Sequence, residues 1–350
     1  MKNKWMLIVA SMIVITICDA QDEHFSQFYA IPMHLNPALT GAYDGTYRMA
    51  AVYRDQWSNS LSSGYRTFAA GGDTSIDFKL DKKNEANKIG IGLVFVNDEF
   101  SAFQFSNNRL GAFAAFHKRL GDKNPSYLGG GLQLGIIQHN INYDNLTFQD
   151  QFNQIDGFPG STSENLPPNN FGTFDVSLGI NYTVHLPKTT VYVGTALHHI
   201  NEPSYSFFNQ LELPNPLIDV SQNLNSRFVA HASLDQSINY NLQVQPRIVY
   251  QSQGVHNQID FGTNLEYIFK SRSNSLILGL WLTIADDLDG PHLENITPLV
   301  GIRQSNFIFG FSYDIHTRDV GDPNFGLNTL EFSIRFSGVH ETEGAFCPTF

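Results

Sequence analysis

Cysteine is nearly missing from this chain: its 350 residues include 2, Cys18 and Cys347. Cys18 lies in an amino-terminal stretch expected to be removed, so Cys347 would stand alone and an internal disulfide framework is excluded. Basic residues are also scarce. Lys and Arg number 21 against 33 Asp and Glu, a formal net charge of -12, which argues against the basic footprint of a nucleic-acid-binding protein. At 42% hydrophobic residues and a mean hydropathy of -0.19, the chain is too polar for a set of membrane-spanning helices. It also lacks any linker, charge block or low-complexity stretch that would mark a boundary, and the mature part reads as one domain.

Residues 1–20 have the layout of a secretory signal peptide. Lys2 and Lys4 form the charged start, residues 5–17 the apolar run, and Cys18-Asp19-Ala20 the small-residue cleavage site before Gln21. The run is too short to span a bilayer comfortably. Ile17 stands where a lipid-modified cysteine prefers a small residue, so Cys18 is not read as an anchor.

From residue 47 to 336 the chain is a succession of about fourteen short alternating segments. In 174–184, Phe174, Val176, Leu178, Ile180 and Tyr182 share one face, and Asp175, Ser177, Gly179, Asn181 and Thr183 the other. Segment 259–269 sorts Phe261, Leu265, Tyr267 and Phe269 against Asp260, Gly262, Asn264 and Glu266. Segment 330–336 sorts Leu330, Phe332, Ile334 and Phe336 against Glu331, Ser333 and Arg335. A one-residue slip would turn carboxylates to the apolar side, so register is strongly specified.

A soluble β-sandwich alternates as well. Three features favour a membrane. The segments run to about ten residues, the length of a tilted crossing. Aromatic residues (Trp57, Phe95, Phe116, Tyr182, Tyr250, Phe269, Phe336) sit near segment ends, as interfacial girdles do. Long and short connectors also alternate. The expected fold is all-β: an up-and-down antiparallel transmembrane β-barrel of about fourteen strands in a bacterial outer membrane.

If the mature amino terminus starts in the periplasm, connections 79–87, 118–126, 185–188, 239–241, 270–274 and 304–306 are the short periplasmic turns. Connections 138–172, 201–226, 285–296 and 315–328 are then the long outer ones. Exposed long loops on a rigid scaffold carry function more often than the scaffold does, so 138–172 and 201–226 are the leading contact surfaces.

Residue constellations for catalysis are missing. Twelve histidines show no ligand spacing, and on a strand His198 and His199 would point to opposite faces. Asp286-Asp287-Leu288-Asp289-Gly290 lacks the closing Glu of a calcium loop and reads as an acidic surface turn. No G-x-S-x-G elbow occurs. No catalytic, cofactor-binding or metal residue is expected, and the chain is read as a non-enzyme.

The face opposite the apolar one is richer. By parity Arg48, Arg54, Asp175, Arg227, Asp235, Arg247, Asp260, Glu266, Arg303, Asp314, Glu331 and Arg335 project into the lumen. Charges of both signs at this density are expected to pair, since unpaired buried charge is costly. A selective pore would more readily carry a ring of one sign. The balanced signs favour a filled lumen. Segment 25–45 precedes the first strand, carries Pro32 and Pro37, and shows no strand-length alternation. It is expected either to fold back as a hatch or to run along the periplasmic side as a lead-in.

Residues Gln21-Asp22-Glu23-His24-Phe25-Ser26-Gln27-Phe28-Tyr29, followed by Leu35-Asn36-Pro37-Ala38-Leu39-Thr40-Gly41, resemble the PorP/SprF family. These are outer-membrane proteins of the type IX secretion system and gliding machinery of Bacteroidetes. Tyr53-Arg54-Asp55-Gln56-Trp57 resembles the family's first strand, and His199-Ile200-Asn201-Glu202-Pro203 the end of a middle one. Gly310-Phe311-Ser312-Tyr313-Asp314-Ile315 and Glu331-Phe332-Ser333 are similar to the last two strands, and Cys347-Pro348-Thr349-Phe350 to the family's ending. Asn36-Pro37-Ala38 also loosely resembles the hatch motif of outer-membrane long-chain fatty-acid transporters.

The PorP/SprF resemblance implies a non-enzymatic role in secreting or anchoring proteins that bear a type IX C-terminal signal, adhesins among them. It implies secretion machinery as a further partner, besides the lipid bilayer, and carries over no catalytic residue. The competing expectation is a channel or transporter for a small solute. The expected organisation is a signal peptide (1–20), a lead-in or hatch (21–46), the barrel (47–336) and a periplasmic tail (337–350).

Overall fold

The computed structural model describes residues 22–339 except 44, 58–63, 79–86, 101–103, 121–123, 145, 159, 208–221, 271–272, 288–289 and 318–327. The expected signal peptide, Cys18, Cys347 and nearly all of the expected tail lie outside the described residues.

Period-two alternation yields fourteen antiparallel strands. They are β1 (Tyr47–Gln56), β2 (Tyr65–Phe78), β3 (Asn87–Phe100), β4 (Phe105–Leu120), β5 (Ser126–Ile141), β6 (Asn170–Leu186) and β7 (Thr189–His198). The second half comprises β8 (Arg227–Ser237), β9 (Leu242–Gln253), β10 (His256–Ile268), β11 (Asn274–Asp287), β12 (Gly290–Gln304), β13 (Phe307–His316) and β14 (Thr329–Gly338). Each pairs with its chain neighbours, and β1 pairs with β14 from Tyr47↔Gly338 to Gln56↔Thr329, which closes the barrel. Closure leaves no strand edge whose N–H and C=O groups would face lipid unpaired.

The sheet is apolar on its outside. In β5, Leu128, Leu132, Leu134 and Ile136 point outward and are between 37% and 58% exposed. Their neighbours Gly129, Gly131, Gln133, Gly135, Ile137 and His139 face in. The same holds for Leu330 and Phe332 against Glu331 and Ser333 on β14, in the register expected. Exposed apolar side chains recur around the wall, from Met49 on β1 through Leu278 on β11 to Phe332 on β14. So much outward apolar surface suits hydrocarbon and would be unfavourable in water.

Two expectations are corrected. The strands run from 10 residues in β1 to 17 in β6, so several outgrow a bare crossing. Pairing continues past the membrane wherever two neighbours can still satisfy each other's backbone, as Asn140↔Asn170 does between β5 and β6. Connection 285–296 is no long loop either. β11 and β12 stay paired to Asp287↔Gly290, and the turn closes on Gly290 at φ +90, a backbone conformation that glycine adopts without a Cβ penalty. Asp286 and Asp287 therefore end β11 and Gly290 begins β12, with 288–289 outside the described residues. Long excursions cluster at one rim between β5 and β6, β7 and β8, and β13 and β14. The other rim carries short connections throughout.

A charge on the outer face, Ile334→Lys halfway along β14, is expected to cost about 2–4 kcal/mol. Ser233→Glu, on the inner face of β8 opposite Arg247, should be tolerated, because opposite charges paired across strands are favourable. The fraction showing heat-modifiable migration reports assembly of both; equal loss in the two variants would overturn the assigned facing.

Candidate functional site: the occupied lumen

Residues 22–43 touch strands from all sides of the closed wall, so they lie inside it. Pro32 and Pro37 each fix φ and remove a backbone donor, which keeps this stretch out of the sheet. It forms a single helical turn, α1 (Pro32–Leu35), then a tighter turn at Pro37–Leu39.

Three polar anchors hold the segment. Nearest the long-loop rim, Asp22 meets Arg109 at 2.7 Å, His199 at 2.7 Å and Arg227 at 3.2 Å. Burial raises the Asp22 carboxyl, but His199, Arg109 and Arg227 outweigh it and hold the group well below the usual carboxylate range. His199 sits between two carboxylates, with Nδ1 2.8 Å from Asp175 and Nε2 2.7 Å from Asp22, so both ring nitrogens donate. Burial pushes His34 down, and nearby Arg227 and Arg109 add to it, to about 3. Its 3.4 Å contact with Glu23 is therefore not an ion pair at neutral pH.

The second anchor is a cradle for Glu331. The backbone amides of Ser26 and Gln27 donate to its two oxygens at 2.9 and 2.7 Å. Arg54 reaches Glu331 at 3.1 Å and Asp314 at 3.2 Å, and the Ser26 hydroxyl donates to Asp314 at 2.6 Å. The third anchor lies at the short-turn rim. Arg48 clamps Asp73 with Nε at 2.9 Å and Nη2 at 2.7 Å, and Asp73 accepts from the Gly41 amide at 2.8 Å.

Asn36 joins the segment to the opposite wall. Its side-chain oxygen accepts from the Ala38 amide at 2.9 Å, capping the Pro37–Leu39 turn. Its Nδ2 donates to the carbonyls of Ile180 on β6 and Thr195 on β7 at 3.1 and 3.2 Å. His198 donates to the Leu35 carbonyl at 3.1 Å. Apolar contacts fill the rest. Phe25, Ile31 and Met33 pack on Val52, Val94, Val96 and Phe113, and Leu35 on Ala196, Val229 and Val249. Wall glycines permit this approach: a Cβ at Gly90 would strike the Thr40 carbonyl, and one at Gly131 the backbone of Pro37 and Ala38.

All twelve charges expected to face inward do so, and most pair. Arg303 takes Glu266 through Nε at 2.7 Å, Asp260 lies 3.5 Å from His24, and Arg247 meets Asp235 at 3.4 Å. His198 and His199 do not point to opposite faces. The chain leaves β7 at His199 with φ +56, and both rings end up buried inside. Asp22 and Glu23 enter the sequence reading only within the amino-terminal motif, and Asp73 and Arg109 lie outside its inward-facing set. Parity on β4 offered a signal for Arg109, which shares its face with Asn107, Phe113 and His117. Among the described residues no three His, Cys, Asp or Glu side chains gather as a metal site.

The triplet Gly129-Gly130-Gly131 permits a test with its own control. Gly131→Ala places a methyl against backbone that cannot rotate away and is expected to cost about 1–3 kcal/mol by overpacking. Gly130→Ala, with nothing within 4 Å of the new methyl, should be neutral. Thermal unfolding in detergent and protease access to residues 22–41 measure the difference.

The family model for the type IX secretion system membrane protein PorP/SprF matches residues 17–336. No curated protein matches the chain. Among solved structures, a Pseudomonas aeruginosa FadL homologue gives a TM-score of 0.51 at 12% identity, over 86% of this chain and 92% of that one. The TodX monoaromatic hydrocarbon channel, as a deltaS2 mutant, gives 0.51 at 12% identity over 89% and 94%. Identities this low speak to fold alone, and the shared fold is an outer-membrane barrel. With the family match across nearly the whole barrel, the chain belongs to the PorP/SprF family and is an outer-membrane component of type IX secretion.

Proposed function

We propose that this barrel is a non-enzymatic holder of secreted cargo. It docks an adhesin-type protein bearing a type IX C-terminal signal at its outer rim and the secretion or gliding machinery elsewhere. One observation carries the reading: the two long excursions 142–169 and 199–226 rise from neighbouring hairpins at the same rim. The first presents Phe152, Ile155 and Phe158 to solvent, with Ile155 86% exposed. Exposed apolar side chains grouped on one loop are what a protein partner covers. The base of the second excursion is pinned by Tyr205, whose ring lies 4.3 Å from that of His139, and by Leu224, whose amide donates to the Pro203 carbonyl. The described part of the second loop thus has a packed base.

Residues 22–43 act in this reading as a hatch that closes the lumen to solutes. The anchors and apolar packing support it. The organisation that goes with it is a removed signal peptide at 1–20 and a periplasmic tail, expected at 337–350 but starting after Gly338, where β14 ends. A solute channel is the second reading; it rests on fold kinship with the hydrocarbon channel TodX, and the occupied lumen weighs against it.

Replacing Phe152, Ile155 and Phe158 together with serine should leave the barrel assembled in the outer membrane and lower cargo at the cell surface several-fold. Surface labelling of cargo and heat-modifiable migration of the barrel are the paired readouts. In planar bilayers the intact protein should be silent. Steady porin-like conductance would overturn the closed lumen, and unchanged display in the triple variant would remove 142–169 as the docking loop.

A further inference from the structure

Beneath the lumen segment, on the side of the short turns, lies a cavity of about 410 Å³, within the range of small-molecule sites. The segment roofs it with Phe28, Tyr29, Leu35 and Leu39, while the walls come from the halves of β1, β7 to β9 and β12 to β14 that lie next to the short turns. Four arginines line it, Arg48, Arg247, Arg303 and Arg335, against one carboxylate, Asp235.

The pairing leaves a surplus of positive charge. Arg48 is held by Asp73 and Arg303 by Glu266, both acids lying outside the lining. Arg247 touches Asp235 at a long 3.4 Å, and its Nη1 is buried without a hydrogen-bond partner. Among the described residues Arg335 meets no carboxylate at ion-pair distance; its Nη1 reaches the Tyr29 carbonyl at 3.4 Å. Two guanidinium groups are fixed on rings, Arg247 4.6 Å from the centre of Tyr29 and Arg48 4.4 Å from that of Tyr43. Cations set on aromatic faces have little left to order when an anion arrives. Arginine's planar fork suits carboxylate and phosphate, and a desolvated cation without a partner favours filling by one.

We propose that this cavity binds an organic oxyanion, a carboxylate or phosphate on a body with an apolar ring, entering from the periplasm. The oxyanion sits between Arg247 and Arg335, and the ring lies against Phe28 and Leu39. Its source is either a free small molecule or the acidic side chains of a periplasmic peptide. The site is independent of the outer loops, so failure of cargo docking leaves it standing.

Trp281 reports on the cavity, since its ring stacks on Tyr29 with centroids 5.6 Å apart. In the full mature protein carrying Trp57→Phe, terephthalate should change its fluorescence saturably. The uncharged diamide should not. Arg247→Gln with Arg335→Gln should weaken terephthalate binding by about tenfold or more, the loss of at least one charge-assisted contact. Ser233→Glu, which supplies an internal carboxylate opposite Arg247, should weaken it too and serves if the double variant fails to assemble. Competition by inorganic phosphate would support the oxyanion as the recognised group. Displacement by a peptide of glutamate and phenylalanine would assign the source to peptide, and its failure to displace would assign it to a small molecule. Equal binding of the diamide, full binding by the assembled double variant, or no saturable response to terephthalate would each overturn the proposal.

Discussion

Backbone hydrogen bonding in a solvent that offers none is the constraint from which this structure follows. Within hydrocarbon each unpaired N–H or C=O costs several kcal/mol, so strands can cross only if the last pairs with the first. The β1–β14 ladder does that along the whole length of both strands. Once the sheet is closed, period two becomes a strict division of labour. Alternate positions of each strand face lipid, with the parity switching in β12 across the register shift opposite Thr283 and Ile284, and polar chemistry gathers in the lumen and at the rims. That is why 33 acids and 21 bases coexist with a membrane protein whose outer surface is largely apolar.

Confinement creates a second problem, what to do with the interior. Here the solution is a proline-bearing segment whose backbone, unable to join the sheet, is satisfied by the wall. Glu331 and Asp73 accept from backbone amides of Ser26, Gln27 and Gly41, and Asn36 reaches the wall carbonyls of Ile180 and Thr195. Such buried ionic contacts roughly break even against well-packed apolar substitutes. Their physical contribution is directional: two misaligned carboxylates would be costly, so the segment has one seating. Net stabilisation comes from Phe25, Ile31, Met33 and Leu35 packing on inward apolar residues, with glycines at the points of closest approach.

Much of this was legible in the residues. Alternation in 174–184, 259–269 and 330–336 gave strand, face and register, because a sheet with lipid on one side and water or polar side chains on the other has no other periodicity to adopt. The twelve inward charges followed by parity. What parity could not give was the turn at His199, where a left-handed backbone brings adjacent histidines to one side. Nor could it give the pairing that runs on to Asp287↔Gly290, since Pro and Asp read as loop residues. The apolar docking wall did leave a trace. Leu93-Val94-Phe95-Val96 breaks the alternation, as a strand apolar on both faces must, and Val94 and Val96 are the residues on which the segment packs.

Two cavities beside the segment, one toward the long loops and one toward the short turns, differ in character. The outer one, about 250 Å³, is lined by Asp22, Glu23, Asp286 and Glu294 with Arg227 and two histidines. The inner one carries four arginines and one acid. A through-pore selecting ions would be expected to keep one sign along its path. Opposed signs on the two sides of a seated segment do not suit such a path. Such a field favours acidic groups approaching the short-turn mouth and basic ones approaching the long-loop mouth, at the range of a Debye length, before any side-chain contact is made. The polarity across the segment is thus set by which acids and bases the anchors consume and which they leave over, and Arg335, which among the described residues meets no carboxylate at ion-pair distance, is the residue that tips the inner balance.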